Sequence, residues 1–354
     1  MNIGVEKFVD SYPVESLLSI WKESTQKPDE YSRKRIDWAF FRNICGRARV
    51  WLLRDKNEGD YFGCSALLPR YFLVKGKKVP GALIADTAIK KEYRALGPAL
   101  FLHEEILKSS GDLSFILAFP NRIAQAVIQR VGFKRAKNLV HYIKITKSKR
   151  AIEKKIKVPF LSTLFLFFAP IIDLGMRILD FRLPSRKKLI CLQEDEFNEK
   201  FDYAWNEFRP KFDFLLERNS DYLKWRYRNN PDPSKAYKIF TVYKSAKNEL
   251  AGYVVYFVKN GLAYVDDFIW IEEHLKLQRL LFLFVRAMRK KSVDAVQFSF
   301  MENRLIEKSF KRNLFFEIGK SSVLYYILDK SMAEFLPELI NREKAFITSG
   351  DRDF

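Results

Sequence analysis

The sequence predicts an α+β fold made of two copies of one domain, each a mixed sheet flanked by helices. Three observations support this prediction: an internal repeat, an order of strands and helices that recurs in both halves, and a length of 354 residues. That length is sufficient for two domains with a core each. Hydrophobic residues make up 48% of the chain and aromatic residues 15%, so the composition is that of a globular protein and not of a disordered one.

The internal repeat consists of four features that occur in the same order in each half. The first is an amphipathic helix, with Trp21 on its apolar stripe in the first half and Trp205 in the second. The other three are a W-x-[FY]-x-x-N hexapeptide (residues 38–43 and 225–230), an acidic residue in an apolar strand (Asp86 and Asp267), and an Asn-Arg pair (Asn121 and Asn303) with a Phe 12 positions after the Asn. The acidic residue and the Asn are 35 positions apart in the first half and 36 in the second, which indicates a duplication.

Each half is predicted to form an antiparallel meander that leads into a β-α-β-α-β order. In the first half we expect strands over 50–54, 61–66, 82–89, 113–119 and 139–145, and helices over 97–108 and 121–130. In the second half we expect strands over 251–258, 262–270, 295–300 and 323–328, and helices over 273–290 and 303–311. The predicted organisation is therefore a first domain (1–147), a linker (148–190), a second domain (191–332) and a C-terminal tail (333–354).

The linker has the most unusual composition in the chain. A lysine-rich stretch precedes residues 158–172 (VPFLSTLFLFFAPII), which carry no charge, and basic residues follow. This apolar stretch is shorter than the ~20 residues that a membrane-spanning helix needs. We therefore expect it to lie on a membrane surface, with its basic flanks against anionic head groups. The alternative is an apolar linker helix packed beneath both domains.

Charge and cysteine usage exclude several classes of protein. The net charge of +20 favours an anionic partner: nucleic acid, an anionic membrane or a phosphorylated substrate. The three cysteines lack C-x-x-C spacing and the three histidines lack H-E-x-x-H spacing, so we expect neither a disulfide framework nor a metal site. The N-terminus has no secretory signal pattern, which predicts a cytoplasmic protein.

Residues 86–100 (DTAIKKEYRALGPAL) predict a strand that turns sharply into a helix. Gly97 permits a positive φ in the turn, and Pro98 suits the first helical position. The free N–H groups of such a helix start, with Arg94 beside them, can bind a pyrophosphate. The alternative is an ordinary strand-turn-helix with a Gly-Pro at the turn.

These residues resemble a known family. The pattern Arg94-x-x-Gly97-x-Ala99 after an apolar strand is similar to the R/Q-x-x-G-x-G/A acyl-CoA loop of the GNAT acyltransferase superfamily. Residues 119–121 (FPN), the helix that follows and the Gly-Phe at 132–133 resemble that superfamily's next motif. The tandem layout resembles two-domain GNAT proteins associated with cell-envelope polysaccharide synthesis, and Fem-type peptidyltransferases share the double fold.

The resemblance implies transfer of an acyl group from acetyl-CoA or another acyl-CoA to an acceptor, in a ternary complex and without a metal. The pantetheine arm would lie along the strand that ends at Thr87, Ala88 and Ile89. A backbone N–H near Ile89 would polarise the thioester carbonyl. The resemblance assigns the remaining cofactor contacts to Arg94, Ala95, Leu96, Gly97, Ala99 and Asn121.

The acceptor amine must lose a proton, because an alkyl ammonium group has a pKa of ~10 and is not nucleophilic when charged. Asp86 is the candidate base, directly or through water; the alternative is a hydrogen-bonded strand carboxylate. The superfamily often places a Tyr four residues before Gly-Phe as the acid for the leaving thiolate, but Ile128 stands here. His141 or Tyr142 could replace that acid, with core packing as the alternative for each. A thiolate leaving group can also depart without an acid.

The second repeat lacks the loop. Residues 271–282 (IEEHLKLQRLLF) contain no Gly, and Glu272 and Glu273 would repel phosphates, so we expect this copy to shape the acceptor cleft. The sequence thus predicts a cytoplasmic acyl-CoA-dependent N-acyltransferase, with peripheral contact on the inner face of a membrane as the expectation for the linker. Its expected acceptor is an amino group of an anionic envelope precursor, a nucleotide-linked or lipid-linked sugar. The alternatives are a Fem-type aminoacyl-tRNA-dependent transferase, in which tRNA would be the nucleic-acid partner, and an inactive membrane-associated scaffold.

Overall fold

A computed structural model describes residues 2–25, 28–57, 59–94, 96–148, 175, 189–244 and 249–352. The apolar stretch 158–172, for which a membrane-surface position is predicted, lies outside the described residues, as does Ala95. Within the described part of the chain, no helix combines the length and the apolar character needed to cross a bilayer.

The described elements follow the predicted order and add several that the sequence did not indicate. The first half contains β1 (Ile3–Phe8), α1 (Val14–Thr25), α2 (Asp29–Ile36), β2 (Arg49–Asp55), β3 (Tyr61–Val74), β4 (Lys77–Ile89), α3 (Leu96–Lys108), β5 (Phe115–Ala118), α4 (Arg122–Arg130), β6 (Lys134–Arg135) and β7 (Leu139–Ile145). The second half contains β8 (Leu189–Glu194), α5 (Glu199–Phe208), β9 (Phe214–Leu216), α6 (Ser220–Leu223), β10 (Lys238–Lys244), β11 (Glu249–Lys259), β12 (Leu262–Trp270), α7 (Leu277–Lys290), β13 (Ala295–Met301), α8 (Arg304–Arg312), β14 (Phe316–Ser321), β15 (Leu324–Ile327), α9 (Leu336–Asn341) and β16 (Ala345–Phe346). The predicted α+β fold is confirmed.

The strands form two mixed sheets. The order of the first is β1-β2-β3-β4-β5-β15-β6, with β9 paired to β3 and β16 paired to β9. The order of the second is β14-β7-β13-β12-β11-β10-β8. Each sheet contains an antiparallel meander, β1-β2-β3-β4 and β8-β10-β11-β12, and the last strand of each meander pairs in parallel with the next strand, β4 with β5 and β12 with β13.

The two halves exchange a strand. Strand β7, from the first half, lies between β13 and β14, whereas β15, from the second half, lies between β5 and β6. The contiguous ranges 1–147 and 191–332 therefore do not coincide with the two sheets. An apolar pattern shows that a strand is buried but does not show which sheet buries it.

Residues 333–352 are folded, which corrects the prediction of a C-terminal tail over 333–354. Helix α9 buries Leu336, Leu339 and Ile340 in the core of the first sheet, and β16 pairs in parallel with β9. This segment has no long periodic pattern of its own. The segment is folded because it contacts residues that are distant in sequence.

Local chemistry explains two of the repeated features. Asn121 is the N-cap of α4, where its side-chain oxygen accepts hydrogen bonds from two backbone N–H groups at 3.0 and 2.9 Å. Asn303 caps α8 in the same way, at 3.1 Å for both bonds. Asn is among the strongest N-cap residues, which accounts for an Asn at the same place in each half.

The two copies of the W-x-[FY]-x-x-N motif face each other at the junction of the halves. Trp38 and Trp225 lie in five-residue π-helical turns, and their rings stack with centroids 4.8 Å apart and planes inclined by 15°. Each indole N–H donates to the backbone carbonyl of the other tryptophan, at 2.8 and 3.1 Å. The contact is reciprocal, so equivalent residues of the two repeats meet at one place.

Candidate active site

The first sheet opens beside β4. Strands β4 and β5 pair only from Gly81 to Leu83, and β4 then continues to Ile89 with no described strand on that side. A bulge bends β4 within this stretch, where the register against β3 shifts and Asp86 adopts a positive φ of 53°. The result is a wedge-shaped groove whose β4 edge presents free backbone groups.

Helix α3 begins close to the end of this groove. A short 3₁₀ turn (Lys91–Tyr93) connects β4 to the helix, and the Arg94 Nε atom donates to the Ile89 carbonyl at 2.9 Å. Arg94 also donates to the Ser24 hydroxyl at 3.2 Å, so its guanidinium braces the loop. The first N–H groups of α3 have no partner within the helix, as in any α-helix, and are available to an anion.

The structure corrects the expectations for Gly97 and Pro98. Gly97 is not among the residues with positive φ but lies in the first turn of α3, and Pro98 is the third residue of the helix, not the first. The 3₁₀ turn makes the change of direction, so a glycine is not needed for it. A Cβ built on Gly97 has no heavy atom within 4 Å, so its surface is open to a ligand.

The other predicted cofactor residues lie around the groove, and they differ in which of their atoms a ligand could contact. Ala88 is buried, and the Thr87 hydroxyl is 2.8 Å from the Ser65 hydroxyl, so β4 would contact a ligand through its backbone. Leu96 and Ala99 lie in the first turn of α3. Asn121 uses its side-chain oxygen for capping, which leaves its amide NH₂ to contact a ligand.

A cavity of about 580 Å³ lies between the two halves. The first half contributes Arg35, Asp86 and His141 to its wall, and the second half contributes Lys235 and Asp266. We call this cavity the interdomain cleft. Asp86 belongs both to the bulge of β4 and to the wall of the cleft, so the groove and the cleft meet at this residue.

The Asp86 carboxylate is held by Arg35, a partner that the sequence did not indicate. The guanidinium donates two hydrogen bonds, from Nε to Oδ1 at 3.0 Å and from Nη2 to Oδ2 at 2.9 Å. Both side chains are largely buried, with 7% of Arg35 and 14% of Asp86 exposed. This fork orients the carboxylate, and each oxygen keeps a second lone pair for a proton or a water molecule.

The two candidate acids, His141 and Tyr142, point to opposite faces of β7 because neighbouring residues of a strand alternate. His141 lines the cleft, with Nδ1 at 2.7 Å from the Ser299 hydroxyl and Nε2 at 2.6 Å from the Ser321 hydroxyl. Burial, together with the charge of Arg352, lowers the pKa of His141. The ring is therefore neutral at neutral pH, a state suited to accepting a proton and not to the predicted role of donor.

Tyr142 is placed in the core instead of the cleft. Its side chain is fully buried, its ring stacks on Phe300 at 5.6 Å, and its hydroxyl donates to Glu307 at 3.2 Å. It cannot reach a leaving thiolate from this position, so core packing accounts for it.

The cleft also contains residues that the sequence analysis missed. Lys235 lines its wall, and burial lowers the pKa of Lys235 to about 8 although Asp266 acts to raise it. Asp266 accepts hydrogen bonds from the Tyr237 hydroxyl at 2.5 Å and from the Ser349 hydroxyl at 2.9 Å. The sequence offered one signal for Asp266, namely its position next to Asp267, the acidic residue of the repeat.

The groove of the second sheet is filled by the chain itself. Strands β12 and β13 also separate after a short parallel pairing, but residues 345–352 occupy the opening. The Met301 N–H donates to the Ile347 carbonyl at 2.8 Å, and the Ser349 hydroxyl donates to the Val265 carbonyl at 3.0 Å. Glu273 instead pairs with Lys211 at 3.0 Å. The second groove therefore has no space for a pantetheine arm, a physical block that the sequence did not show.

Comparisons with known proteins support the same architecture. No family model matches the chain, and no curated protein matches its sequence. Among solved structures, a probable N-acyltransferase from Enterococcus faecalis V583 superposes with a TM-score of 0.66 at 13% identity, covering 93% of this chain and 73% of that protein. A tandem GNAT protein from the clavulanic acid biosynthesis pathway superposes with a TM-score of 0.55 at 14% identity, covering 92% and 99%. Saccharomyces cerevisiae N-myristoyltransferase, with bound myristoyl-CoA, gives 0.55 at 12% identity, covering 93% and 83%.

The fold is that of a tandem GNAT protein. At these identities the similarity shows the fold alone, and the chemistry depends on the residues of this chain. Within this tandem GNAT fold the first copy keeps an open groove and the second copy does not.

Proposed function

We propose that this tandem GNAT protein is an acyl-CoA-dependent N-acyltransferase, with acyl-CoA in the groove of the first sheet and the amine acceptor in the interdomain cleft. The observation that carries the proposal is the position of Asp86. It lies on the bulge at the open edge of β4 and also in the wall of the cleft, so a carboxylate stands where the two ligands would meet.

The groove fits an acyl-CoA. The free edge of β4 up to Ile89 can hydrogen-bond the amide groups of a pantetheine arm, as an added strand would. The first turn of α3 can bind the diphosphate through its N–H groups, and the open surface at Gly97 allows a close approach. When bound, acyl-CoA supplies an activated acyl carbon for attack by an amine.

The cleft supplies the proton chemistry. An alkyl ammonium group must lose a proton before it attacks, and Asp86 can accept that proton directly or through a water molecule. Arg35 keeps the carboxylate oriented through its fork. His141, neutral and hydrogen-bonded to two serine hydroxyls, is a second proton acceptor in the same cavity.

We further propose that the acceptor is anionic, in the class of nucleotide-linked or lipid-linked sugars of the cell envelope, and that the protein works in the cytoplasm at a membrane surface. The net charge of +20 supports an anionic acceptor. The composition of the stretch 158–172 and of its basic flanks supports contact with a membrane.

Calorimetric titration with acetyl-CoA tests the proposal. We expect one binding site per chain. Gly97→Glu should weaken binding by roughly 100-fold or more, because a carboxylate about 5 Å from even one charge of the diphosphate costs about 2–3 kcal/mol at an effective dielectric constant of about 20–40. Gly97→Ala is the matched control and should lose far less affinity than Gly97→Glu, since the added methyl group carries no charge and meets no protein atom within 4 Å. Wild-type affinity in Gly97→Glu would refute the assigned site.

A further inference from the structure

The interdomain cleft contains cations that its own acidic groups do not neutralise. The wall of the cleft carries four basic side chains, Arg35, Lys235, Lys259 and Arg352, and three carboxylates, Asp86, Asp232 and Asp266. Asp86 is paired with Arg35, Asp232 accepts hydrogen bonds from Ser234, and both oxygens of Asp266 accept hydrogen bonds from hydroxyl groups. Arg352 and Lys259 also line the cleft, and neither side chain forms an ion pair or a hydrogen bond with any described residue. Basic side chains therefore outnumber acidic ones in the cleft, and Arg352 and Lys259 remain available to a ligand.

Arg352 is held firmly although its guanidinium has no partner within the described chain. It follows the segment that fills the second groove, and the buried Arg226 donates to the Gly350 carbonyl at 2.8 Å and to the Arg352 carbonyl at 2.5 Å. A Cβ on Gly350 would lie 2.7 Å from the Asp266 carbonyl oxygen, so only glycine permits this close approach. The backbone is thus fixed while the side chain remains half-buried in the cleft.

The charge of Arg352 is already felt within the cleft, since it helps to lower the pKa of His141. Lys259 stands at the end of β11 with its side chain exposed. The volume of about 580 Å³ is in the range that encloses a drug-sized ligand and is far larger than a simple alkylamine needs. A cavity of this size with two available cations is suited to an acceptor that carries an anionic group besides its amine.

We propose that Arg352 and Lys259 form a subsite for a phosphoryl group of the acceptor. A guanidinium fork can bind two phosphate oxygens at once, and a lysine ammonium adds a second positive charge, which suits a doubly charged phosphate better than a singly charged carboxylate. The subsite rests on the proposed function in one respect, namely that the cleft holds the acceptor. In this arrangement the segment that closes the second groove also contributes to acceptor specificity.

The test is calorimetric titration of inorganic phosphate into the full chain saturated with CoA, so that the helix start of α3 is occupied. We expect Arg352→Gln to raise the Kd for phosphate about 10- to 100-fold, the usual effect of losing hydrogen bonds to a charged group. Lys259→Gln, at an exposed position, should raise it less. Arg342→Gln is the matched control, because this arginine lies in the same C-terminal region but is exposed and paired with Glu338.

Three results would overturn the subsite: wild-type phosphate affinity in Arg352→Gln, an equal loss in Arg342→Gln, or tighter binding of succinate than of phosphate by the wild-type protein. A thermal unfolding scan checks that Arg352→Gln is folded, and Lys259→Gln provides a second measurement if it is not. Failure of the proposed function appears separately, as a wild-type protein that does not bind CoA. In that case phosphate is titrated without CoA, and the comparison of wild type with Arg352→Gln still measures the subsite.

Discussion

Replacing the buried Arg218 by methionine should strongly destabilise the fold. Arg218 is fully buried and is the centre of a network that joins the second sheet to the C-terminal segment. Its Nε donates to the two Asp267 oxygens at 3.0 and 3.1 Å, and its Nη1 donates to the Leu216 carbonyl at 2.8 Å. Its Nη2 donates to Asp351 at 2.5 Å and to the Thr348 hydroxyl at 3.3 Å.

The size of the destabilisation follows from the two buried carboxylates that the substitution leaves without a cation. The side chains of Asp267 and Asp351 are 2% and 3% exposed, and both would lose their cation. Removing one partner of a buried ion pair costs about 3–5 kcal/mol, a large share of the about 5–15 kcal/mol by which a typical protein is stable. At roughly 2–4 °C per kcal/mol, the unfolding temperature should fall by roughly 10 °C.

The loss should depend on pH. Burial raises the pKa of Asp267, and removal of the guanidinium raises it further. A carboxyl group with a raised pKa in the folded state stabilises the fold below its unfolded pKa, and this contribution disappears as the pH rises through the folded pKa. The free energy of unfolding that Arg218→Met loses relative to wild type should therefore be smaller at about pH 5 than at about pH 8.

Urea unfolding at both pH values measures this effect. Arg228→Met is the matched control, because Arg228 pairs with Glu196 at the surface, where the two side chains are 32% and 67% exposed. Such surface pairs contribute about 0–1 kcal/mol. The reasoning is refuted if Arg218→Met loses no more stability than Arg228→Met, or if its deficit is the same at both pH values.

Four further predictions concern catalysis, the junction of the halves and location. Asp86→Asn should bind acetyl-CoA as wild type does but release CoA thiol roughly 100-fold more slowly, and an unchanged rate would exclude Asp86 as the base. Because the pKa of His141 is lowered, any step in the pH–rate profile that disappears in His141→Gln should lie below the ordinary histidine pKa of about 6.5, and such a step at or above about 6.5 would contradict the lowered pKa. Trp38→Phe should lose about 1–2 kcal/mol in urea unfolding, since a buried carbonyl loses its donor; a loss within error would show that the reciprocal bonds are unimportant. The protein should sediment with anionic liposomes, and Phe165→Asp/Phe168→Asp should abolish this without unfolding it; wild type that stays in the supernatant would contradict membrane binding.

The sequence predicted the fold where periodic patterns were strong. Strand β12 has the predicted bounds, Leu262–Trp270, because a long apolar run ends at a change of composition. Helix α7 begins at Leu277 and not at the predicted 273. The Glu272 carboxylate accepts a hydrogen bond from the Trp270 indole at 2.7 Å, which fixes a turn that no helical pattern could indicate.

The candidate site could be predicted only in part, because its partners are distant in sequence. Asp86 stood out as a charge within an apolar strand, but Arg35, 51 positions earlier, carries no signal that links it to Asp86. Asp351 is 133 positions from Arg218. Its segment is short and polar, so the sequence predicted a tail. The segment is buried because distant partners such as Arg218 bind it. Tyr142 and His141 were equivalent as sequence candidates, and the face of β7 on which each lies separates them.

The strand exchange connects the groove beside β4, where we propose that acyl-CoA binds, to the second half of the chain. The groove lies between β4 and β5, yet β5 pairs with β4 over only three residues, Phe115 to Leu117. On its other side β5 pairs with β15, a strand of the second half, from Phe115 to Ala118. Without β15 this wall of the groove would be a four-residue edge strand, which is marginal by itself. In turn, β7 of the first half carries His141 into the second sheet. Because each half completes the other's sheet, neither half contains a complete groove and cleft, although only the first copy keeps its groove open.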